Sequence, residues 1–184
     1  MLLKHRQPNR LSGYNYSWNG LYFVTICTKD RVSYFGDIVD FEMRLNECGE
    51  ITKKYWAEIP KHFPLAKLDE WVIMPNHIHG IILIDDTNAD TASVGDADLR
   101  PLQRTRASNP FPRTTMVLSK IIHGFKSSVT RIINDTQHDF QFQWQRSFHD
   151  HIIRDPESLE KIRLYIRNNP AKWHEDRNNP INIK

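Results

Sequence analysis

An α+β fold follows from three features of this sequence. Leu21–Thr28 (LYFVTICT) is a dense β-branched and aromatic run, which reads as a central strand buried on both faces. Two further apolar runs, Trp71–Met74 and Ile78–Ile84, flank the turn signal Pro75-Asn76 and read as a hairpin. Two longer stretches, about Glu47 to Ile59 and Thr115 to Ile133, instead place their apolar residues at helical spacing.

The elements can be justified in order. Residues 1–20 are polar and basic with rings interleaved: Arg6, Arg10, Tyr14, Tyr16 and Trp18. Rings stack on bases and cations meet phosphates, so this arm suits a nucleic-acid strand. An N-terminal arm packing its rings on the domain has the same composition. After the first strand come a loop with Gly36 and a short strand within Ile38–Leu45. The first helix carries Ile51, Tyr55, Trp56 and Ile59 on one stripe, and Pro60 and Pro64 end it. The hairpin spans roughly Leu68–Met74 and His77–Ile84.

From Asp85 to about Thr114 the chain turns to Asp, Ala, Thr, Ser, Asn, Pro and Arg. A loop that long is functional or disordered, and a flexible insertion over 85–114 is expected, with its arginines as a DNA contact. The second helix has Val117, Leu118, Ile121, Ile122, Phe125, Val129, Ile132 and Ile133 in register, with Lys126 near its polar side. Ile152-Ile153 marks a strand. Asp155-Pro156-Glu157 then opens a last helix, with an Asp N-cap and Pro in the first turn. Its stripe is Leu159, Ile162 and Ile166, and it runs to Asn169 before Pro170.

The order β–α–β–β–α–β–α matches, in its first six elements, a ferredoxin-like sandwich: an antiparallel sheet with helices on one face. A C-terminal helix is added, and residues 1–184 are expected to form a single domain.

Composition narrows the function classes. Of 184 residues, 39% are hydrophobic and 11% aromatic, which is globular rather than disordered. A net charge of +3 and a pI near 8.9 permit nucleic-acid binding without demanding it. Cys27 and Cys48 form no Cys-x-x-Cys knuckle or disulfide framework, so a reduced, cytoplasmic protein is the simplest reading. No apolar run reaches membrane-spanning length and no signal peptide follows Met1, so no membrane role is expected.

The chemistry centres on His77-Ile78-His79. On a strand, residues i and i+2 share a face, so both imidazoles stand side by side while Ile78 and Ile82 point into a core. Two neutral imidazoles at that spacing can hold one divalent metal. Most His-x-His pairs only pack, so the rest of the site matters. Tyr165 lies off the apolar stripe of the last helix, and Asn169 is four residues on, on a shared face. A tyrosine in line with an electrophile is a competent nucleophile, and a phosphodiester suits it. The position of Asn169 before proline steers it from helical dihedrals. His149-Asp150-His151 is a rival pair, but its charged middle residue gives no dry opposite face.

The stretches YFVTICT, LNECGEI, IPKHF, WVIMPNHIHGII, GFKSSVT, WQRSFHDHIIRD and YIRNNPAKW, in that order, resemble the REP-associated tyrosine transposases, relatives of the HUH single-strand insertion-sequence transposases. The resemblance covers nearly the whole chain apart from its extreme termini and the 85–114 stretch. It implies that His77 and His79 bind metal. It implies that Tyr165 attacks a DNA phosphate, forming a 5′-phosphotyrosine link and freeing a 3′-hydroxyl. Asn169 matches a polar metal ligand that is glutamine, one methylene longer, in the insertion-sequence relatives. The implied metal is Mg2+ or Mn2+, and two imidazoles with one amide suit Mn2+ at least as well.

The implied substrate is a single-stranded DNA hairpin of a repetitive extragenic palindrome with an adjacent guide sequence. It would be bound by a monomer or homodimer, nucleoid-associated when on DNA. Arg6, Arg10 and Tyr14 are candidates for strand contact, and Lys126 and Arg167 for phosphate contact. The alternative function is a non-catalytic single-stranded nucleic-acid-binding module of the same fold, although no aromatic-glycine RNA-binding signature is present. A third class is a metal-dependent hydrolase using bound water.

Overall fold

A computed structural model describes residues 20–85 and 117–182. Four strands form one antiparallel sheet: β1 (Gly20–Cys27), β4 (Ala66–Met74), β5 (His77–Ile84) and β6 (His149–Ile153), in the order β4-β5-β1-β6. β1 is central, as its apolar run predicts. Helices α1 (Glu47–Ala57) and α3 (Val117–Thr136) make the two crossovers, and this is the ferredoxin-like arrangement.

Strand alternation sorts the sheet into two unlike faces. Tyr22, Val24, Ile26, Ile78, Ile82 and Ile152 pack with Trp56, Leu118, Ile121, Phe125 and Val129 into the main core. The opposite face is covered by α4 (Pro156–Asn168), which buries Leu159 and Ile166 against Leu21, Ile81 and Ile153. The main core has many more members, so α1 and α3 are the firmly held helices and α4 the lightly held one.

Gly80 is needed on the core face. A Cβ there would lie 2.4 Å from Cζ2 of Trp56, so the glycine lets the indole close on β5. α1 and α4 are both capped: Asn46 accepts from the Gly49 N–H at 3.0 Å, and Asp155 from the Ser158 N–H at 2.8 Å.

Three local features depart from the sequence reading. The stretch expected to hold one short strand forms a hairpin, β2 (Gly36–Val39) with β3 (Glu42–Leu45), turned by Asp40 and Phe41 at φ 52° and 64°. A glycine-free turn hides well in a sequence. Pro60 does not stop α1, which ends at Ala57; it sits in the first turn of the short helix α2 (Ile59–His62). In β4, Leu68 pairs with Ile82 and Trp71 with Gly80, so Asp69 and Glu70 together oppose Ile81 in a β-bulge. Among the described residues no helix is long and apolar enough to cross a membrane.

Candidate metal centre and tyrosine

β5 starts at His77, directly after the Pro75-Asn76 turn, and its odd residues face α4. His77 and His79 are both fully buried, and their Nε2 atoms lie 3.0 Å apart. The Asn76 amide donates to the carbonyls of Arg31 and Asn178, each at 2.8 Å. That leaves Asn76 Oδ1 as an acceptor, so His77 Nδ1–H donates to it at 2.9 Å and His77 Nε2 keeps its lone pair. His79 Nδ1 meets Thr25 Oγ1 at 2.8 Å. Burial, aided by the charges of Arg31 and Arg177, pushes the His77 pKa down to about 3. Burial and then His77 hold His79 well below the usual imidazole range. Both rings are therefore neutral at neutral pH, the state a metal ligand needs.

A carboxylate joins them from the C-terminal segment. Asp176 is buried, with Oδ2 3.8 Å from His77 Nε2, and one ligand atom from each of His77, His79 and Asp176 lies within 4.8 Å of the others. The Asn178 N–H donates to Asp176 Oδ1 at 2.6 Å. Asn76 thus binds both His77 and the segment that carries Asp176. The 3₁₀ segment Pro170–Glu175 leads there from α4 and places the Trp173 ring 5.9 Å from His77.

α4 brings Tyr165 to the same place. Its hydroxyl lies 3.1 Å from His79 Nε2, and its ring stands edge-on to Phe23 and His79. The residue is 43% exposed, so it lies at the rim of the centre and not in the core. Burial of the rest, then the Asp176 carboxylate, raises its pKa, while the Asn169 side-chain hydrogen bond and Arg177 act the other way.

Asn169 is buried one turn further on, and its Oδ1 has no hydrogen-bond partner. Its dihedrals are helical (φ −59°, ψ −43°), contrary to the bias expected before proline, because Pro170 opens a 3₁₀ segment that prolongs α4. The donor set fits a divalent cation. The two imidazole Nε2 atoms face each other, a carboxylate stands beside them, and Asn169, hydrogen-bonded to Tyr165, keeps a buried amide oxygen unpaired.

No protein-family model matches the chain. An uncharacterised protein of Haemophilus influenzae is 39% identical over 174 residues, covering 95% of this chain and 93% of its own, and the two belong to one family. A second Haemophilus influenzae protein, provisionally named a REP-associated tyrosine transposase, is 26% identical over 159 residues, 86% of this chain and 74% of that one. This chain is a distant relative of the REP-associated tyrosine transposases. A solved REP-associated tyrosine transposase bound to a REP hairpin has the same fold, with a TM-score of 0.56 at 17% identity, over 94% of this chain and 74% of that one.

In this distant transposase relative, the other residues singled out from sequence have mixed fates. Lys126 donates to the Gln145 carbonyl at 2.5 Å, and burial lowers its pKa. Arg167 donates from Nε to Glu70 at 2.9 Å. Both cations therefore have protein partners. Arg6, Arg10, Tyr14 and the insertion from residue 86 onward lie outside the described residues. His149 and His151 are exposed on β6, paired in register with Thr25 and Phe23, and do not belong to the donor cluster. Sequence reasoning did not name Asp176. Its neighbourhood, HEDRNNP, carries only a polar turn signal.

Proposed function

We propose that this chain nicks and rejoins single-stranded DNA by transesterification, with Tyr165 as nucleophile beside a divalent cation held by His77, His79, Asp176 and Asn169. The observation that most supports this is the 3.1 Å approach of the Tyr165 hydroxyl to His79 Nε2, at the rim of a buried donor set. When bound, the cation supplies Lewis-acid polarisation of the phosphoryl group.

The chain's own residues supply the rest. The Tyr165 oxygen forms a bond to phosphorus as the bond from phosphorus to the 3′-oxygen breaks. The phenolic proton leaves to solvent at this half-exposed residue, and the 3′-oxygen takes up a proton and departs as a hydroxyl. The product is a 5′-phosphotyrosine link, which keeps the bond energy, so rejoining needs no nucleotide cofactor. Arg177, whose charge is felt by both imidazoles and the phenol, adds positive potential where a phosphodiester must lie. The proposed substrate is a DNA hairpin with a single-stranded flank, the class to which the REP hairpin of the structural relative belongs.

The test is denaturing electrophoresis after incubation with a labelled single-stranded hairpin oligonucleotide and Mn2+ or Mg2+. Wild type should yield a covalent protein–DNA adduct. Tyr165→Phe should yield none, yet still bind the hairpin. Cleavage without an adduct would replace this reading with a bound-water hydrolase; binding without cleavage would replace it with a non-catalytic module.

A further inference from the structure

α4 is tied to β4 by ions that the proposed chemistry does not use. On a regular strand Asp69 and Glu70 would point to opposite faces. The bulge opposite Ile81 lets both carboxylates reach α4. Arg163 grips Asp69 with two donors: Nε to Oδ1 at 2.9 Å and Nη2 to Oδ2 at 2.5 Å. The Arg163 hydrogen bond holds the Asp69 carboxyl below the usual carboxylate range. Arg167 makes a looser tie to Glu70. Side-chain exposures are 28% and 22% for Arg163 and Asp69, against 55% and 32% for Arg167 and Glu70, so the first pair carries most of the constraint.

The position of this pair around the helix gives it a use. At 100° per residue, Arg163 and Tyr165 lie roughly 160° apart, with Leu159, Ile166, Ile162 and Asn169 between them. The apolar stripe rests on the sheet, the arginine is fixed on one flank and the phenol hangs over the metal centre on the other. Only Leu159 and Ile166 of α4 are buried, so its polar ties weigh heavily against rolling on the sheet. A roll of about 10° moves atoms at the helix surface by about 1 Å. A displacement of that size can cost about a hundredfold in rate.

We propose that Arg163 and Asp69 are positioning residues: their two-pronged pair sets the rotation of α4 and so the distance from the Tyr165 hydroxyl to His77 and His79. This rests on Tyr165 being the nucleophile. Four chains test it: Arg163→Lys, Arg163→Met, Asp69→Asn, and the exchanged pair Asp69→Arg with Arg163→Asp. Lysine keeps the charge but not the fork.

With the hairpin oligonucleotide, Arg163→Lys and Asp69→Asn should lower the single-turnover rate of adduct formation roughly ten- to a hundredfold, with hairpin Kd within about threefold of wild type. The exchanged pair should recover most of the rate. Wild-type rate in Arg163→Met overturns the proposal. So does a loss of hairpin affinity that matches the loss of rate, which would make Arg163 a DNA contact. If wild type forms no adduct, the functional reading fails on its own. The clamp is then judged by amide hydrogen exchange: α4 should exchange faster in Arg163→Met while β1 and β5 do not change, and equal exchange overturns it.

Discussion

The Tyr165 hydroxyl and His79 Nε2 lie 3.1 Å apart although 86 residues separate them in the chain. The contact exists because α4 crosses to the sheet face that α1 and α3 leave open. On that face the strand period delivers His77 and His79, and the helix period delivers Tyr165 and Asn169. One strand and one helix supply four of these side chains, and the C-terminal segment adds Asp176.

Asp176→Asn should weaken Mn2+ binding about tenfold without unfolding the metal-free protein. The amide keeps an oxygen that can accept from the Asn178 N–H, so the segment should hold its shape. What it loses is the charge beside His77. Isothermal titration with Mn2+ reads the affinity, and melting in chelator reads the fold. An unchanged affinity would remove Asp176 from the ligand set.

The metal-free protein should lose stability as pH falls below the ordinary histidine value of 6.5. His77 has a folded pKa of about 3 and an unfolded value of 6.5, so between the two the unfolded chain holds more protons. Stability therefore rises with pH across that window and is lost on acidification, by up to about 1.4 kcal/mol per pH unit for each such histidine. His79 adds to it in the same direction. Urea denaturation in chelator at pH 7, 6 and 5 gives the slope, and His77→Gln should flatten it. A wild-type curve that is level over this range contradicts the buried, neutral pair.

The parts of this fold that obey a short period were legible in sequence. His77 and His79 on one side, with Ile78 and Ile82 on the other, follow from strand alternation alone. Tyr165 and Asn169 follow from helix spacing. The rest depends on long-range meetings that no local pattern encodes. Asp176 is brought in by the tie between Asn76 and the Asn178 carbonyl, 102 residues apart. Arg167 reads from sequence as a candidate phosphate contact, and its partner Glu70 is 97 residues away. The bulge that presents Asp69 and Glu70 leaves no mark in an alternation broken by two adjacent acids.

Gly80→Ala should destabilise the fold by about 1–3 kcal/mol, the range for overpacking a close-packed core. The added methyl would meet the fully buried Trp56 ring at 2.4 Å, so the indole or the backbone of β5 must shift within a close-packed core. The glycine after the histidine pair thus has a packing reason separate from chemistry. Urea denaturation checks it, and the double variant Gly80→Ala with Trp56→Phe should recover part of the loss. Wild-type stability in Gly80→Ala would mean that β5 and α1 can separate freely.

Asn169 offers the sharpest separation of a ligand from a filler. Its Oδ1 is buried and unpaired, which costs roughly 1–3 kcal/mol unless something meets it. Asn169→Leu removes that orphan on the same branched skeleton, so in chelator the gain should offset the bulk of the added methyl groups and the lost contact with Tyr165, leaving the variant within a few degrees of wild type. With Mn2+ present wild type should pull ahead, because it gains more binding free energy and its melting temperature rises further. Asn169→Asp should do the opposite of Leu. A second buried carboxylate near Asp176 lowers metal-free stability, and the same charge strengthens cation binding. Thermal melts across a Mn2+ titration read all three chains, and equal Mn2+-induced rises in wild type and Asn169→Leu would restrict the ligand set to His77, His79 and Asp176.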